Sequence, residues 1–444
     1  MPLPFPMLRI APLLLCLVLW MPTDSFAQNT PAQRTDIAIT NARLVTVTNG
    51  VIENGTLVIR ADTIAALGAD VEVPDDIPAR FNADGQSVYP GLIDSGTRLG
   101  LVEVSSLSET RDFSEIGDLT PHMQALTAVN PNSVSIPVTR LNGVTTVITE
   151  PSGGQWPGQA ALIDLLGYTP QQMHVAGVQY MVLNFPSTGR RGTGDTRSEE
   201  DIEQEAQEAL EALNELWDDA TLYAEIQARQ DEAEPGHFTE YAPAYDALVP
   251  VVTGEQPIML KADKAADILD ALAWAEERGI TDQIVLSGAS EGWRVADTIA
   301  EAGVPVLTGP VIALPSRQSD RYDKPYANAG LMHEAGVQVA LRTGEDSNVR
   351  NLPFHAGFAA AYGMGADAAL EAITIVPARI FGIDDRVGSL EVGKQATLFV
   401  ADGDPFEPAT QVTRLHINGY NVPLQSRHTE LYDEFIERSP GLDK

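Results

Sequence analysis

The chain is almost free of cysteine, with Cys16 the single example among 444 residues. Cys16 lies in an apolar run, residues 10–21, which follows Arg9 and precedes the small-residue stretch Ser25-Phe26-Ala27. A basic start, a short apolar run and small residues before a cleavage point are typical of a secretory signal peptide. We therefore expect cleavage after Ala27, which leaves a mature chain without disulfides, thiol nucleophiles or thiolate metal ligands.

Basic residues are scarce as well. The chain has 28 Lys and Arg against 62 Asp and Glu, and its formal net charge is −34. Nucleic acids and anionic membrane surfaces are negatively charged and repel such a protein. The composition therefore excludes both as partners once the signal peptide is removed. Together with the export signal, it predicts a soluble acidic protein that is periplasmic or secreted.

Histidines are few and stand alone. The seven are His122, His174, His237, His333, His355, His416 and His428. None forms a His-x-His or i, i+4 pair, which are the spacings that place two imidazoles on one metal ion. Each is expected to have a structural or surface role, and His355 is the one nearest to candidate site residues.

The hydrophobic pattern divides the chain into two kinds of segment. Residues 36–88 and 386–422 alternate apolar and polar positions between Gly and Asn breaks, as half-buried antiparallel strands do. Between them, apolar strands alternate with helical segments, as a parallel barrel requires. After a first strand near residues 88–94, further strands are expected at residues 143–150, 174–183, 257–262, 283–288, 304–308 and 337–342. The remaining strand, the fourth, is expected within residues 186–254, which also contain a long acidic helix that begins at a capping box, Ser198 to Asp201.

The stretch from Val88 to Leu101 resembles the first barrel strand of the amidohydrolase superfamily, which typically reads Pro-Gly-x-Ile-Asp-x-His-x-His. Pro90, Gly91, Ile93 and Asp94 match that pattern. A second match is Gly-Ser-Leu-Glu-x-Gly-Lys at residues 388–394.

The resemblance covers nearly the whole mature chain and is imidazolonepropionase-like in its overall pattern. It implies an α/β fold, a (β/α)8 TIM-like barrel with a small β-sandwich domain built from both chain ends. The expected divisions are the signal peptide at residues 1–27, the sandwich at residues 36–89 and 386–424, the barrel at residues 90–385 and an acidic C-terminal tail at residues 425–444.

The metal ligands of the family are replaced in this sequence. Gly96 and Arg98 stand where the first strand has its two histidines. Strand five offers Lys261 and Asp263, and strand six offers Ser287 in place of a histidine. We therefore expect no metal or other cofactor, although zinc or another divalent ion is the family norm.

Strand eight keeps two acids, Glu345 and Asp346, and one of them is expected at the position of the aspartate that binds the metal and accepts a proton. These two acids are the predicted catalytic residues. The predicted substrate-binding residues are Arg98, Lys261, Asp263 and Ser287. Arg98 suits a planar carboxylate, because its guanidinium donates two parallel hydrogen bonds. The alternative is an internal salt-bridge network that fills the former metal site.

The resemblance implies a hydrolase that acts on non-peptide carbon–nitrogen bonds of small amides or cyclic amides. The missing ligands leave a second hypothesis open, a non-catalytic periplasmic binding protein or a partner subunit of an active amidohydrolase. The expected partner is a small molecule that carries a carboxylate. A homo-oligomer or a complex with a metal-bearing paralogue is compatible with either hypothesis.

Overall fold

The computed structural model describes residues 32–190, 195–231 and 241–438. The expected signal peptide, His237 and the last residues of the acidic tail lie outside these ranges. Within them, no helix has both the length and the apolar composition needed to cross a membrane.

The regular elements of the described residues are numbered here in chain order. The strands are β1 (Gln33–Arg34), β2 (Ile37–Val45), β3 (Val51–Arg60), β4 (Thr63–Gly68), β5 (Ala79–Asn82), β6 (Ser87–Pro90), β7 (Leu92–Thr97), β8 (Val144–Thr149), β9 (Gly158–Asp164), β10 (His174–Asn184), β11 (Ile258–Ala262), β12 (Ile284–Gly288), β13 (Val306–Thr308), β14 (Val339–Leu341), β15 (Leu398–Ala401), β16 (Val412–Ile417) and β17 (Tyr420–Asn421). The helices are α1 (Ala125–Ala128), α2 (Ser135–Arg140), α3 (Pro170–Met173), α4 (Glu199–Asp231), α5 (Pro243–Val252), α6 (Ala265–Arg278), α7 (Ala296–Ala302), α8 (Lys324–Glu334), α9 (Leu352–Ala359), α10 (Ala366–Glu371), α11 (Ile375–Ile380) and α12 (Arg427–Glu437).

A strand-rich domain combines both ends of the chain. Its sheet has the order β1-β17-β16-β15-β6-β2-β3-β4, with β5 paired to β2. Strand β6 from the N-terminal part lies antiparallel to β15 from the C-terminal part, with Val88 opposite Val400. Tyr89 and Phe399 stack on this seam with ring centroids 5.3 Å apart. The sheet therefore needs residues from before and after the barrel.

The barrel is an eight-stranded sheet in the order β7 to β14, so strands adjacent in sequence are neighbours in space. Its ends meet because Gly344 N donates to Gly96 O and Arg98 N donates to Glu345 O, both at 2.9 Å. Every residue of β7 and of β8 is buried. Both faces are covered because one cluster of side chains fills the interior, with Ile93 and Ile148 among them, and the outer face packs under helices.

The third barrel strand is antiparallel to both of its neighbours, β8 and β10. A parallel crossover needs a dozen or more residues, and the connection between β8 and β9 is residues 150–157, so the chain returns in the opposite direction. The expectation of a fourth strand within residues 186–254 is wrong. The described part of that interval forms α4 and α5, and the strand beginning at His174 is the fourth.

The capping box predicted for the long helix is confirmed. Ser198 Oγ accepts from Asp201 N at 3.0 Å, and the Asp201 carboxylate accepts from Ser198 N at 3.1 Å. Helix α4 begins directly after Ser198 because these bonds satisfy backbone N–H groups that lack helical partners. A second capped helix, α12, begins after Ser426 within the segment expected to be an acidic tail.

Candidate functional site

Four polar side chains meet at the C-terminal ends of the barrel strands. Glu150 follows β8, Lys261 lies in β11, Ser287 lies in β12 and Arg342 follows β14. These strands run in the same direction, so their C-terminal ends open at one face of the barrel. We refer to these four residues as the Glu150 network.

Glu150 is the acceptor at the centre of this network. Lys261 Nζ donates to its Oε1 at 2.9 Å, and Arg342 donates to both carboxylate oxygens, to Oε2 at 3.5 Å. Arg342 also donates to Ser287 Oγ. The side chains of Glu150, Arg342 and Lys261 are 4%, 10% and 21% exposed. One buried carboxylate therefore pairs with a buried cation, Arg342, and a partly buried one, Lys261.

The pKa shifts follow from this sharing. Burial by itself would raise the pKa of Glu150, but the charges of Arg342 and Lys261 hold it below its usual value. Burial lowers the pKa of Lys261, and Glu150 opposes that change. Both shifts arise because a charge that is removed from water is destabilised by burial and stabilised by the opposite charge beside it.

Asp94, in the middle of β7, is a buried carboxyl with a different environment. It is 0% exposed and accepts from Thr343 Oγ at 2.6 Å, Thr343 N at 3.2 Å and Gly96 N at 3.1 Å. Burial raises its pKa to about 7, against these hydrogen bonds and the charge of Arg342. Asp94 therefore changes protonation near neutral pH, while it joins β7 to the loop after β14.

The residues present do not fit a divalent metal ion. A Cβ built on Gly96, which holds the place of a family histidine, would lie 2.5 Å from Cζ of Arg342. The guanidinium thus occupies the space into which that histidine would project, and with Lys261 it repels a cation. Within the described ranges, no group of three or more His, Cys, Asp or Glu side chains is placed to hold a metal.

A pocket of about 510 Å³, which we name the mouth cavity, opens beside the Glu150 network. Among the described residues, four cationic side chains and one acidic side chain line it: Arg190, Lys261, Lys264, Arg342 and Asp263. Val311 and Leu314, which follow β13, form part of an apolar wall. A surplus of positive charge in so acidic a chain favours an anionic occupant.

The sequence-predicted site residues fall into two groups. Lys261, Asp263 and Ser287 line the mouth cavity. Arg98, Glu345 and Asp346 lie at the seam between β7 and β14 and are not among its lining residues.

At this seam, the Arg98 guanidinium lies 4.9 Å from the ring centroid of Phe113. Asp346 accepts from Ser105 Oγ at 3.3 Å. The roles assigned to Arg98, Glu345 and Asp346 stay predictions.

Sequence reasoning missed Glu150, Arg342, Arg190 and Lys264 as site residues. Glu150 and Arg342 each stand directly after a fully buried barrel strand, and a charged residue at that position is the signal that could have identified them. Arg190 lies in the polar loop that follows β10, and it lines the mouth cavity together with Lys264.

His355 has a structural role beside the site. It is 4% exposed, and its Nδ1 accepts from Val311 N at 3.1 Å. Burial lowers its pKa to about 4, so the imidazole is neutral at physiological pH and can accept this bond. His355 thus fixes the loop after β13 that forms the apolar wall.

Comparisons with known proteins agree with this architecture. The profile of the amidohydrolase family matches residues 88–423. The imidazolonepropionase of Symbiobacterium thermophilum is 32% identical over 149 residues, which is 32% of this chain and 33% of that protein. The imidazolonepropionase of Mesorhizobium japonicum is 24% identical over 422 residues, covering 87% of this chain and 95% of that protein. The match thus spans a third of the first relative and nearly all of the second.

A crystal structure of an amidohydrolase from Thermotoga maritima MSB8 is similar in fold, with a TM-score of 0.77 and 24% identity over 87% of this chain and 99% of that one. The similarity covers both the barrel and the strand-rich domain. Because the family profile matches most of the chain, the chain belongs to the amidohydrolase family.

Proposed function

We propose that the mouth cavity binds a small amide or cyclic amide that carries a carboxylate, and that the chain hydrolyses its carbon–nitrogen bond without a divalent metal. The observation that carries this proposal is the surplus of cations around the cavity. Arg342 and Lys261 already share Glu150, and Arg190 and Lys264 form no ion pair with any described residue. A carboxylate ligand would supply the missing negative charge.

The shape of the cavity suits such a ligand. A volume of about 510 Å³ is in the range of small-molecule sites. Nη1 of Arg190 donates to the backbone oxygens of Asp195 and Arg197, which leaves its Nε and Nη2 for two parallel hydrogen bonds to a carboxylate. Lys264 adds a second positive charge. Val311 and Leu314 offer an apolar surface to the body of the ligand.

Hydrolysis without a metal needs a carboxylate to accept a proton from water and a cation to stabilise the oxyanion. Lys261 and Arg342 reach the cavity from the buried network and can supply the second function. Asp263 lines the cavity and is a candidate for the first. Glu345 and Asp346, at the seam, are the candidates that the sequence predicts.

The second candidate function is a non-catalytic binding protein, or a partner subunit of an active paralogue. Arg342 favours this alternative because it occupies the space of a metal-binding side chain. The fold by itself does not decide between catalysis and binding. In either case we propose that the exported chain acts in the periplasm.

The test uses pyroglutamate, a cyclic amide with a carboxylate, and 2-pyrrolidone, the same ring without it. Binding is measured by calorimetry, ring opening by chromatography, and metal content by mass spectrometry of the purified mature protein. The variants are Lys264→Gln in the cavity and, as a control with the same change of charge, Arg43→Gln in the strand-rich domain. Arg43 is partly exposed and pairs with Glu53.

We expect pyroglutamate to bind more tightly than 2-pyrrolidone, Lys264→Gln to weaken its binding and Arg43→Gln to have little effect. Turnover that persists in a chelator supports the metal-free hydrolase, whereas saturable binding without turnover supports the binding protein. Equal affinity for the two rings would refute both. Activity that a chelator removes and zinc restores would contradict the metal-free site.

A further inference from the structure

A second pocket, of about 440 Å³, lies at the opposite end of the barrel, and we name it the basal cavity. Helix α2 and the loop that follows β9 form one side. The segment from β17 to the start of α12 forms the other. Helix α2 precedes β8, and β9 runs antiparallel to β8, so both line the N-terminal end of the barrel. The basal cavity is therefore remote from the Glu150 network.

Arg140, the last residue of α2, is a buried cation that lines this cavity. It is 8% exposed, its Nη1 donates to the backbone oxygen of Leu165 at 3.1 Å, and its Nε has no hydrogen-bond partner in the part of the chain that the structure describes. No acidic side chain within the described ranges forms an ion pair with it. Burial lowers the pKa of Arg140 to about 10, so it remains charged at neutral pH. An uncompensated buried cation is costly, which points to a missing anion.

The other charged residues of the basal cavity add to this surplus. Arg34 lies 4.4 Å from the ring centroid of Tyr420 and is 4.0 Å from its nearest carboxylate, Asp62. Arg427 lines the cavity without an ion pair to the described residues, and Glu430 is the acid that lines it. Among the described residues that line the cavity, three are cationic and one is acidic, and Arg34 alone of the three cations pairs with a carboxylate outside it, in a chain whose net charge is −34.

The apolar part of the wall narrows the class of anion. Ile136, Leu166 and Met173 lie beside Arg140, and Tyr168 presents a largely exposed ring. A strongly hydrated inorganic anion gains nothing from such a wall, whereas an organic acid can bury its body there. The guanidinium of Arg140 matches a planar carboxylate.

We propose that the basal cavity is a second binding site, for an organic carboxylate that pairs with Arg140 and rests its apolar body against Met173 and Tyr168. The site does not depend on the function proposed for the mouth cavity. It is separated from that cavity by the length of the barrel, so ligands can occupy both at once.

The experiment compares benzoate, benzamide and inorganic phosphate as probes of the full mature chain by calorimetry. Benzamide has the shape of benzoate without its charge, and phosphate has charge without an apolar body. We expect benzoate to bind in preference to both, and Arg140→Gln to weaken benzoate by about 10-fold or more, because a charge-assisted pair is lost. Arg190→Gln, in the mouth cavity, should leave this binding event in place.

Arg140 is buried, so Arg140→Gln can fail to fold. Variants at the exposed rim of the cavity therefore provide a second test. Tyr168→Ala and Arg427→Gln remove an exposed ring and an exposed charge, and each should weaken benzoate several-fold while the circular dichroism spectrum stays unchanged. Benzoate binding that is equal in the wild type and in folded Arg140→Gln would overturn the proposal. If Arg140→Gln does not fold, unchanged binding in both rim variants would overturn it, as would equal affinity for benzamide. Loss of benzoate binding in Arg190→Gln alone would place it in the mouth cavity and refute the second site.

Discussion

Glu150→Gln is the substitution that tests the Glu150 network most directly. Glutamine keeps the size of the side chain and one acceptor oxygen, but it removes the charge shared by Lys261 and Arg342. Removal of one partner from a buried ion pair costs about 3–5 kcal/mol, because the other charge stays buried. Lys261 is 21% exposed, so water offsets part of the loss. We therefore expect the free energy of unfolding to fall by about 3 kcal/mol, the lower end of that range.

The assay is urea denaturation of the mature protein, with unfolding monitored by circular dichroism. Glu53→Gln is the matched control, because Glu53 pairs with Arg43 on the surface and its side chain is 68% exposed. Exposed pairs contribute little, so this control should denature at nearly the same urea concentration as the wild type. A Glu150→Gln protein as stable as the control would refute the conclusion that two buried cations depend on Glu150.

The same variant connects stability to ligand binding. In Glu150→Gln the mouth cavity has more uncompensated positive charge, so pyroglutamate should bind more tightly. The ligand should therefore raise the free energy of unfolding more in this variant than in the wild type. A ligand that stabilises both proteins equally would contradict this electrostatic argument. Weaker binding in the variant would show that Glu150 matters by orienting Arg342.

Three further predictions follow from the described contacts and the sequence. Burial raises the pKa of Asp94 to about 7, so the protonated form stabilises the fold at low pH and this stabilisation is lost as the pH rises. The free energy of unfolding, measured by urea denaturation, should therefore fall by about 4 kcal/mol less between pH 4 and 8 in Asp94→Asn than in the wild type. Lys261→Met should reduce pyroglutamate turnover more than Arg98→Ala does, because Lys261 lines the mouth cavity; loss of turnover in Arg98→Ala alone would favour the site that the sequence predicts at the seam. Mass spectrometry of exported protein should find a mature chain that begins near Gln28, and an intact residue 1–27 segment would contradict the signal peptide.

The sequence predicts those parts of the fold that depend on local pattern. The Pro-Gly-x-Ile-Asp stretch identifies β7, and continuous apolar runs identify β8 and β11 to β14 within a few residues of their observed ends. Strand β9 escaped detection because it follows a glycine-rich loop with no intervening helix, so it does not fit strand–helix alternation. The loop between β8 and β9 is too short for a parallel crossover, so its length indicates that β9 is antiparallel to β8. That inference can be made only after β9 has been identified as a strand.

The site is less predictable because its pairs are remote in sequence. Lys261 and Ser287 could be identified one strand at a time, by comparison with the family pattern. The pairing of Arg342 with Glu150 joins residues 192 positions apart, and no periodicity in the chain indicates it. The family pattern drew attention to Arg98 as the replacement cation, whereas the cation that approaches the replaced histidine position is Arg342.

Gly96 and Arg342 therefore depend on each other sterically. A Cβ at residue 96 would lie 2.5 Å from Arg342 Cζ, so a side chain there and this guanidinium exclude each other. The guanidinium cannot easily move aside, because Glu150 and Ser287 hold it and few other acceptors are available in a buried barrel. Glu150 in turn would keep only Lys261 as a counter-charge if Arg342 were lost. Arg342, Glu150 and Ser287 thus stabilise one another, and with Lys261 they place positive charge at the mouth of the barrel on side chains of the fold itself.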